Sequence, residues 1–65
     1  MASSREIIRV LERHGFRVRS QNGSHVKLTK NDKYAIVPHP RKDMPIGTFK
    51  SIIKQSGLTQ QDFEN

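Results

Sequence analysis

Apolar side chains fall along this chain in two rhythms, and the change of rhythm marks its elements. Ile7, Ile8, Val10 and Leu11 recur at three- and four-residue spacing, the period of an amphipathic helix. Just before them, Ser3-Ser4-Arg5-Glu6 forms a capping-box pattern, in which Ser3 accepts from the Glu6 amide while Glu6 reaches back. Gly15, after His14, suits the left-handed residue that closes such a helix. The period then drops to two. Phe16-Arg17-Val18-Arg19-Ser20 alternates as a strand, with Phe16 and Val18 inward and Arg17 and Arg19 outward. Asn22-Gly23 predicts a type I′ hairpin turn, because both residues tolerate the positive φ it requires. A second strand follows over Ser24 to Thr29, with Val26 and Leu28 toward the core and His25, Lys27 and Thr29 on the other face.

Lys30-Asn31-Asp32-Lys33 is a second polar turn, and Tyr34-Ala35-Ile36-Val37 a third strand ended by Pro38, which cannot donate to a central ladder. Its inward pair is open: Tyr34 with Ile36 and Ala35 with Val37 are equally compatible with burial. His39-Pro40-Arg41-Lys42-Asp43 is a loop bracketed by prolines. Pro45 suits the first turn of a second helix, whose apolar face carries Ile46, Phe49, Ile52 and Ile53 and whose polar side carries Lys50 and Lys54. Gly47 in that first turn reads as a site of close packing, and Gly57 ends the helix. Leu58 then folds back over the helix end, and Thr59-Gln60-Gln61-Asp62 caps a last short turn with Phe63 packing inward. Three consecutive strands joined by tight turns make an antiparallel meander, and two amphipathic helices cover one face of it. The expectation is a two-layer α+β domain of order α-β-β-β-α, a single unit over residues 1–65.

Composition narrows the chemistry. A chain of 65 residues builds one small core, burying only about 60% of its unfolded surface, so its stability is expected at about 3–5 kcal/mol. There is no cysteine, which excludes a disulfide framework or a thiolate metal site and fits a reducing cytoplasm. No apolar run approaches the ~20 residues of a membrane span, and the N-terminus has no apolar signal-peptide core, so the expectation is a cytoplasmic protein without a membrane partner. Twelve Lys+Arg stand against six Asp+Glu, a net charge of +6. A small domain this basic points to a polyanion, with nucleic acid first.

The face left open by the helices collects Arg17, Arg19, His25, Lys27 and Thr29. An open sheet face ordinarily carries solvated charge, so no one of these residues defines a site. His25 stands out because it follows a turn whose Gly23 and Ser24 amides can face an anion, with cations on either side to hold a phosphate. His14, His25 and His39 are the only histidines and show no metal-ligand spacing, so no metal is expected. No glycine-rich phosphate loop is present, and a serine nucleophile would need a base and a buried orienting acid, of which this chain offers few candidates; neither a cofactor nor a small-molecule ligand is expected. Platforms for stacking bases are thin, since most of Phe16, Tyr34, Phe49 and Phe63 are needed in the core.

Four stretches in order, Leu11-Glu12-Arg13-His14-Gly15-Phe16, Gly23-Ser24-His25, Val37-Pro38-His39-Pro40 and the run from Met44 to Leu58, resemble the HicA toxins of bacterial HicA–HicB toxin–antitoxin pairs. The resemblance covers nearly the whole chain. It implies a fold similar to the double-stranded RNA-binding domain, ribonuclease action on messenger RNA, and restraint by a HicB-type antitoxin. The family's catalytic histidine lies in its Gly-Ser-His motif and falls on His25; Val26 departs from the second histidine that many members carry next. His39 matches a frequent family position with no role assigned. The residues agree with what the resemblance implies. RNA carries its own nucleophile, the 2′-hydroxyl, so a metal-free enzyme has only to move protons and steady the phosphorane, and an imidazole with a reference pKa near 6.5 suits that work. Arg17, Arg19 and Lys27, with Gly23 and Ser24, are the expected RNA contacts. Whether His25 serves as base or acid is open. Two rivals are a small structural or adaptor protein whose charge is incidental and a non-catalytic double-stranded RNA-binding module, but such modules usually place a lysine cluster where this chain has Pro45-Ile46-Gly47-Thr48.

Overall fold

A computed structural model describes residues 2–64. The first helix, α1 (Ser4–Arg13), begins with the reciprocal capping box read from the sequence: the Glu6 amide donates to Ser3 Oγ at 3.2 Å and the Ser3 amide to Glu6 Oε1 at 2.9 Å. The Ser3 amide, and after it the Ser3 side chain, stabilise the ionised carboxylate and hold the Glu6 pKa below its ordinary value. His14 caps the other end, and its carbonyl accepts from Lys30 Nζ at 2.7 Å, a cation placed where the helix dipole is negative. Gly15 takes φ +93° and turns the chain into the sheet.

Strands β1 (Arg17–Asn22), β2 (His25–Lys30) and β3 (Lys33–Pro38) form an antiparallel sheet in the order β1-β2-β3. Helix α2 (Ile46–Ser56) returns behind it, with Pro45 at the N-cap and Gly57 at φ +76° closing it. A 3₁₀ turn over Gln60–Phe63 carries Phe63 back into the core, where its ring meets Phe49 edge-on at 5.4 Å. The order and layers are those expected.

Val26 and Leu28 of β2 and Ala35 and Val37 of β3 are buried beneath the helices with Ile7, Leu11 and Ile52. This settles the inward pair of β3. Met44, from the loop before α2, is also fully buried. One expectation fails: Val18 is not core. It pairs with Leu28 and so shares the helix side, yet it is 51% exposed, and every residue of β1 is exposed. Both helices pack against β3, leaving β1 to overhang the layer. Ile46 likewise leaves the apolar face assigned to it and stands 60% exposed at the start of α2. Gly47 is not a close-packing site either, since a Cβ built there meets nothing within 4 Å. At the outer edge of β3, the Ile36 amide donates to Gln55 Oε1 of α2 at 3.0 Å.

Candidate functional site

His25 is the first residue of β2, exposed, and paired with Asn22 on one side and Pro38 on the other. Its neighbours Val26 and Leu28 are driven inward by the core, so alternation fixes His25, Lys27 and Thr29 on the opposite, uncovered face. Residues opposite one another in an antiparallel pair share a face. The register therefore adds Arg17 beside Thr29 and Ser20 beside Lys27 from β1, and Tyr34, Ile36 and Pro38 from β3. The β1 register shifts between Val18 and Ser20, so Arg19 lies in a bulge with no partner across the ladder. Arg17, His25 and Lys27 thus come together on one face as expected, with Arg19 at the irregularity beside them.

The hairpin leading into His25 differs from expectation in its position. Asn22 belongs to β1 and pairs with His25, and the two turn residues are Gly23 and Ser24. Gly23 has φ +61°, and Asn22 does not take a positive φ. A glycine with positive φ at the first central position is the type II′ arrangement. The Gly23 carbonyl accepts from Gln21 Nε2 at 3.3 Å and the Ser24 carbonyl from the His39 amide at 2.8 Å. The turn is thereby tied to the chain leaving β3.

The three histidines go to three places. His39 follows Val37 in alternation and turns to the helix side, where its Nδ1 lies 2.7 Å from Ser4 Oγ. Ser4 is buried and also accepts from the Arg41 amide at 2.9 Å, with the Arg41 carbonyl 3.2 Å away. The serine proton has two acceptors within reach, His39 Nδ1 and the Arg41 carbonyl. His39 and His25 face opposite sides of the sheet. His14 is at the far end of α1, with Nδ1 2.9 Å from the Val10 carbonyl and Nε2 3.8 Å from Asp62 Oδ1. Asp62 is held below its ordinary pKa by the backbone bond and then the side-chain bond to Thr59, with His14 a smaller contributor. Among the described residues no group of three or more His, Cys, Asp or Glu side chains could hold a metal ion.

Reading the sequence alone missed the Ser4–His39–Arg41 cluster, because its members lie 35 and 37 residues apart. It also missed that Tyr34 is on the His25 face, 45% exposed, with Lys27 Nζ 5.7 Å from its ring centroid.

Fold and site together define a small basic α+β domain with one uncovered sheet face, on which an accessible imidazole shares the surface with Lys27 and, further along, Arg17. The family model of the HicA toxin of bacterial toxin-antitoxin systems matches residues 4–58, and the chain belongs to that family. One relative is the probable mRNA interferase HicA of Pseudomonas fluorescens (strain Pf0-1), 41% identical over 54 residues, an overlap of 82% of this chain and 90% of the relative. No helix among the described residues is long and apolar enough to cross a membrane.

Proposed function

We propose that this protein is the toxin of a type II toxin–antitoxin pair, an endoribonuclease that cleaves messenger RNA with His25 as its acid–base group. The observation that carries this reading is the placement of His25: exposed, fixed on a strand at the mouth of a glycine turn, on a face bearing Arg17 and Lys27. Family membership and the interferase relative support the same class of activity.

In the reaction the 2′-oxygen gives up its proton and attacks the adjacent phosphorus, and the 5′-oxygen leaves and takes a proton. The products are a 2′,3′-cyclic phosphate and a free 5′-hydroxyl. His25 handles one of these protons, a contribution of typically 10²–10⁴-fold. Arg17, Arg19, Lys27 and the amides of Gly23 and Ser24 receive the phosphate charge. The reaction needs no metal, because the nucleophile comes with the substrate and the donors on this face are an imidazole and cations rather than carboxylates. An enzyme built this way is slow.

The restraining partner is a HicB-type antitoxin that lies over the open face and carries acidic groups to meet the +6 charge. Covering Arg17, His25 and Lys27 blocks RNA and the imidazole together.

The test is cleavage of RNA by purified protein in excess chelator. His25→Ala is expected to abolish cleavage while circular dichroism and most RNA affinity are unchanged. Undiminished cleavage by the folded variant, or loss of the parent's activity in chelator, would overturn the mechanism. For the partner, the His25 imidazole signal in NMR should stop responding to solvent pH once the antitoxin is bound; a freely titrating His25 in an inhibited complex would place the inhibitor elsewhere.

A further inference from the structure

Four aromatic residues are present, and the core takes three of them: Phe16 and Phe63 are buried and Phe49 is half-buried against Phe63. The fourth, Tyr34, stands on the uncovered face. It pairs with Thr29, and Lys27 lies one step nearer His25 on the same side. Four residues of strand separate the rung of Tyr34 from that of His25, about 14 Å at the usual rise. Between them lie Ile36 and Lys27, paired across the ladder, and the Lys27 ammonium reaches to 5.7 Å from the tyrosine ring centroid. An exposed aromatic ring, a cation beside it and an imidazole further along one sheet face match what a single-stranded nucleic acid needs: a flat surface for a base and a charge for its phosphate.

We propose that Tyr34 is a nucleobase-stacking platform, seating a base of the single-stranded RNA whose backbone passes Lys27 on its way to His25. This rests on the ribonuclease reading above and adds to it a binding subsite away from the scissile bond. Stacking accepts any base, because every base has a π face, so Tyr34 contributes grip and register rather than sequence choice. Lys27, drawn to the ring in the free protein, is placed to take the phosphate of the stacked nucleotide.

The experiment uses the whole chain with a short RNA oligonucleotide methylated at every 2′-oxygen, which offers no nucleophile, and with the same backbone lacking its bases. The chain has one tyrosine, so the tyrosine ring signals in NMR belong to Tyr34 alone. These signals should move upfield on adding the base-bearing oligonucleotide and stay in place with the abasic one. Tyr34→Ala should weaken binding of the former roughly 5- to 150-fold, the equivalent of 1–3 kcal/mol per stacked base, and leave the latter unchanged. Tyr34→Phe should bind as the parent does. Tyr34→Leu, which keeps apolar cover on the sheet, should fold normally and still lose the base-dependent part. If Tyr34→Ala or Tyr34→Leu binds both oligonucleotides as the parent does while the parent cleaves unmethylated RNA, the platform is refuted and the nuclease stands. If the folded parent neither binds nor cleaves RNA, the nuclease reading falls and the platform falls with it.

Discussion

At the scale of single residues, two of the three imidazoles sit in opposite settings. His25 is held by its backbone alone and left open to solvent. His39 is held by its side chain, through a serine that also fixes the Arg41 backbone to the start of α1. Ser4 is fully buried, and its hydroxyl partners the Arg41 amide and the His39 ring. Ser4→Ala should therefore cost about 0.5–1.5 kcal/mol, the net worth of a hydrogen bond, and a urea titration would show it. In a domain expected to hold about 3–5 kcal/mol in total, that is a large share. Ser4→Thr, which keeps the hydroxyl, should recover part of it.

At the scale of elements, the helix ends and the alternation of β2 were legible because they are local. A capping box needs residues three apart, and Val26 and Leu28 fix the side of His25 without reference to the rest of the chain. The inward face of β3 was not legible, because Tyr34, Ala35, Ile36 and Val37 are all at home in a core. Nor was the fate of Val18, which depends on where the helices sit across the sheet. Met44 was missed for the same reason: a loop residue is buried by what surrounds it. Gly23 in the hairpin turn and Gly47 within α2 make a direct comparison. Gly23 needs its positive φ, so Gly23→Ala should destabilise by about 1–2 kcal/mol although the space beside it is open. Gly47 sits in a helix with open space and no positive φ, so Gly47→Ala should stabilise by about 0.5–1 kcal/mol. Thermal melts of the pair would show the opposite signs.

The α1 capping box carries a pH signature. Glu6 titrates below its ordinary value when folded, so its contribution is present above the unfolded-state pKa and lost as pH falls through the folded one. Glu6→Gln should be less stable than the parent at neutral pH, and the gap should close under acid. Denaturant midpoints measured across that range would check it, and a gap that widens toward low pH would contradict the assignment.

At the scale of the whole molecule, twelve cations on 65 residues make affinity for RNA a matter of many small contacts. If about four phosphates are neutralised, log affinity for single-stranded RNA should fall against log salt with a slope of about −3. Arg17→Ala and Lys27→Ala should each make that slope shallower with little change in sequence preference. A flat response would refute the electrostatic account.

The hydrogen bond from the Ile36 amide to Gln55 has a consequence for crowding. A three-stranded sheet ends in two raw edges, and raw edges recruit further strands from other molecules. On the β3 side Gln55 occupies the Ile36 amide and Pro38 has no amide to offer. On the β1 side the Arg19 bulge and the charge of Arg17 spoil the ladder. The fold is thus insulated against runaway assembly into fibrils, even though its most exposed strand is uncovered on both faces. Gln55→Ala reopens one border, and sedimentation at rising concentration should reveal polymeric species that the parent does not form.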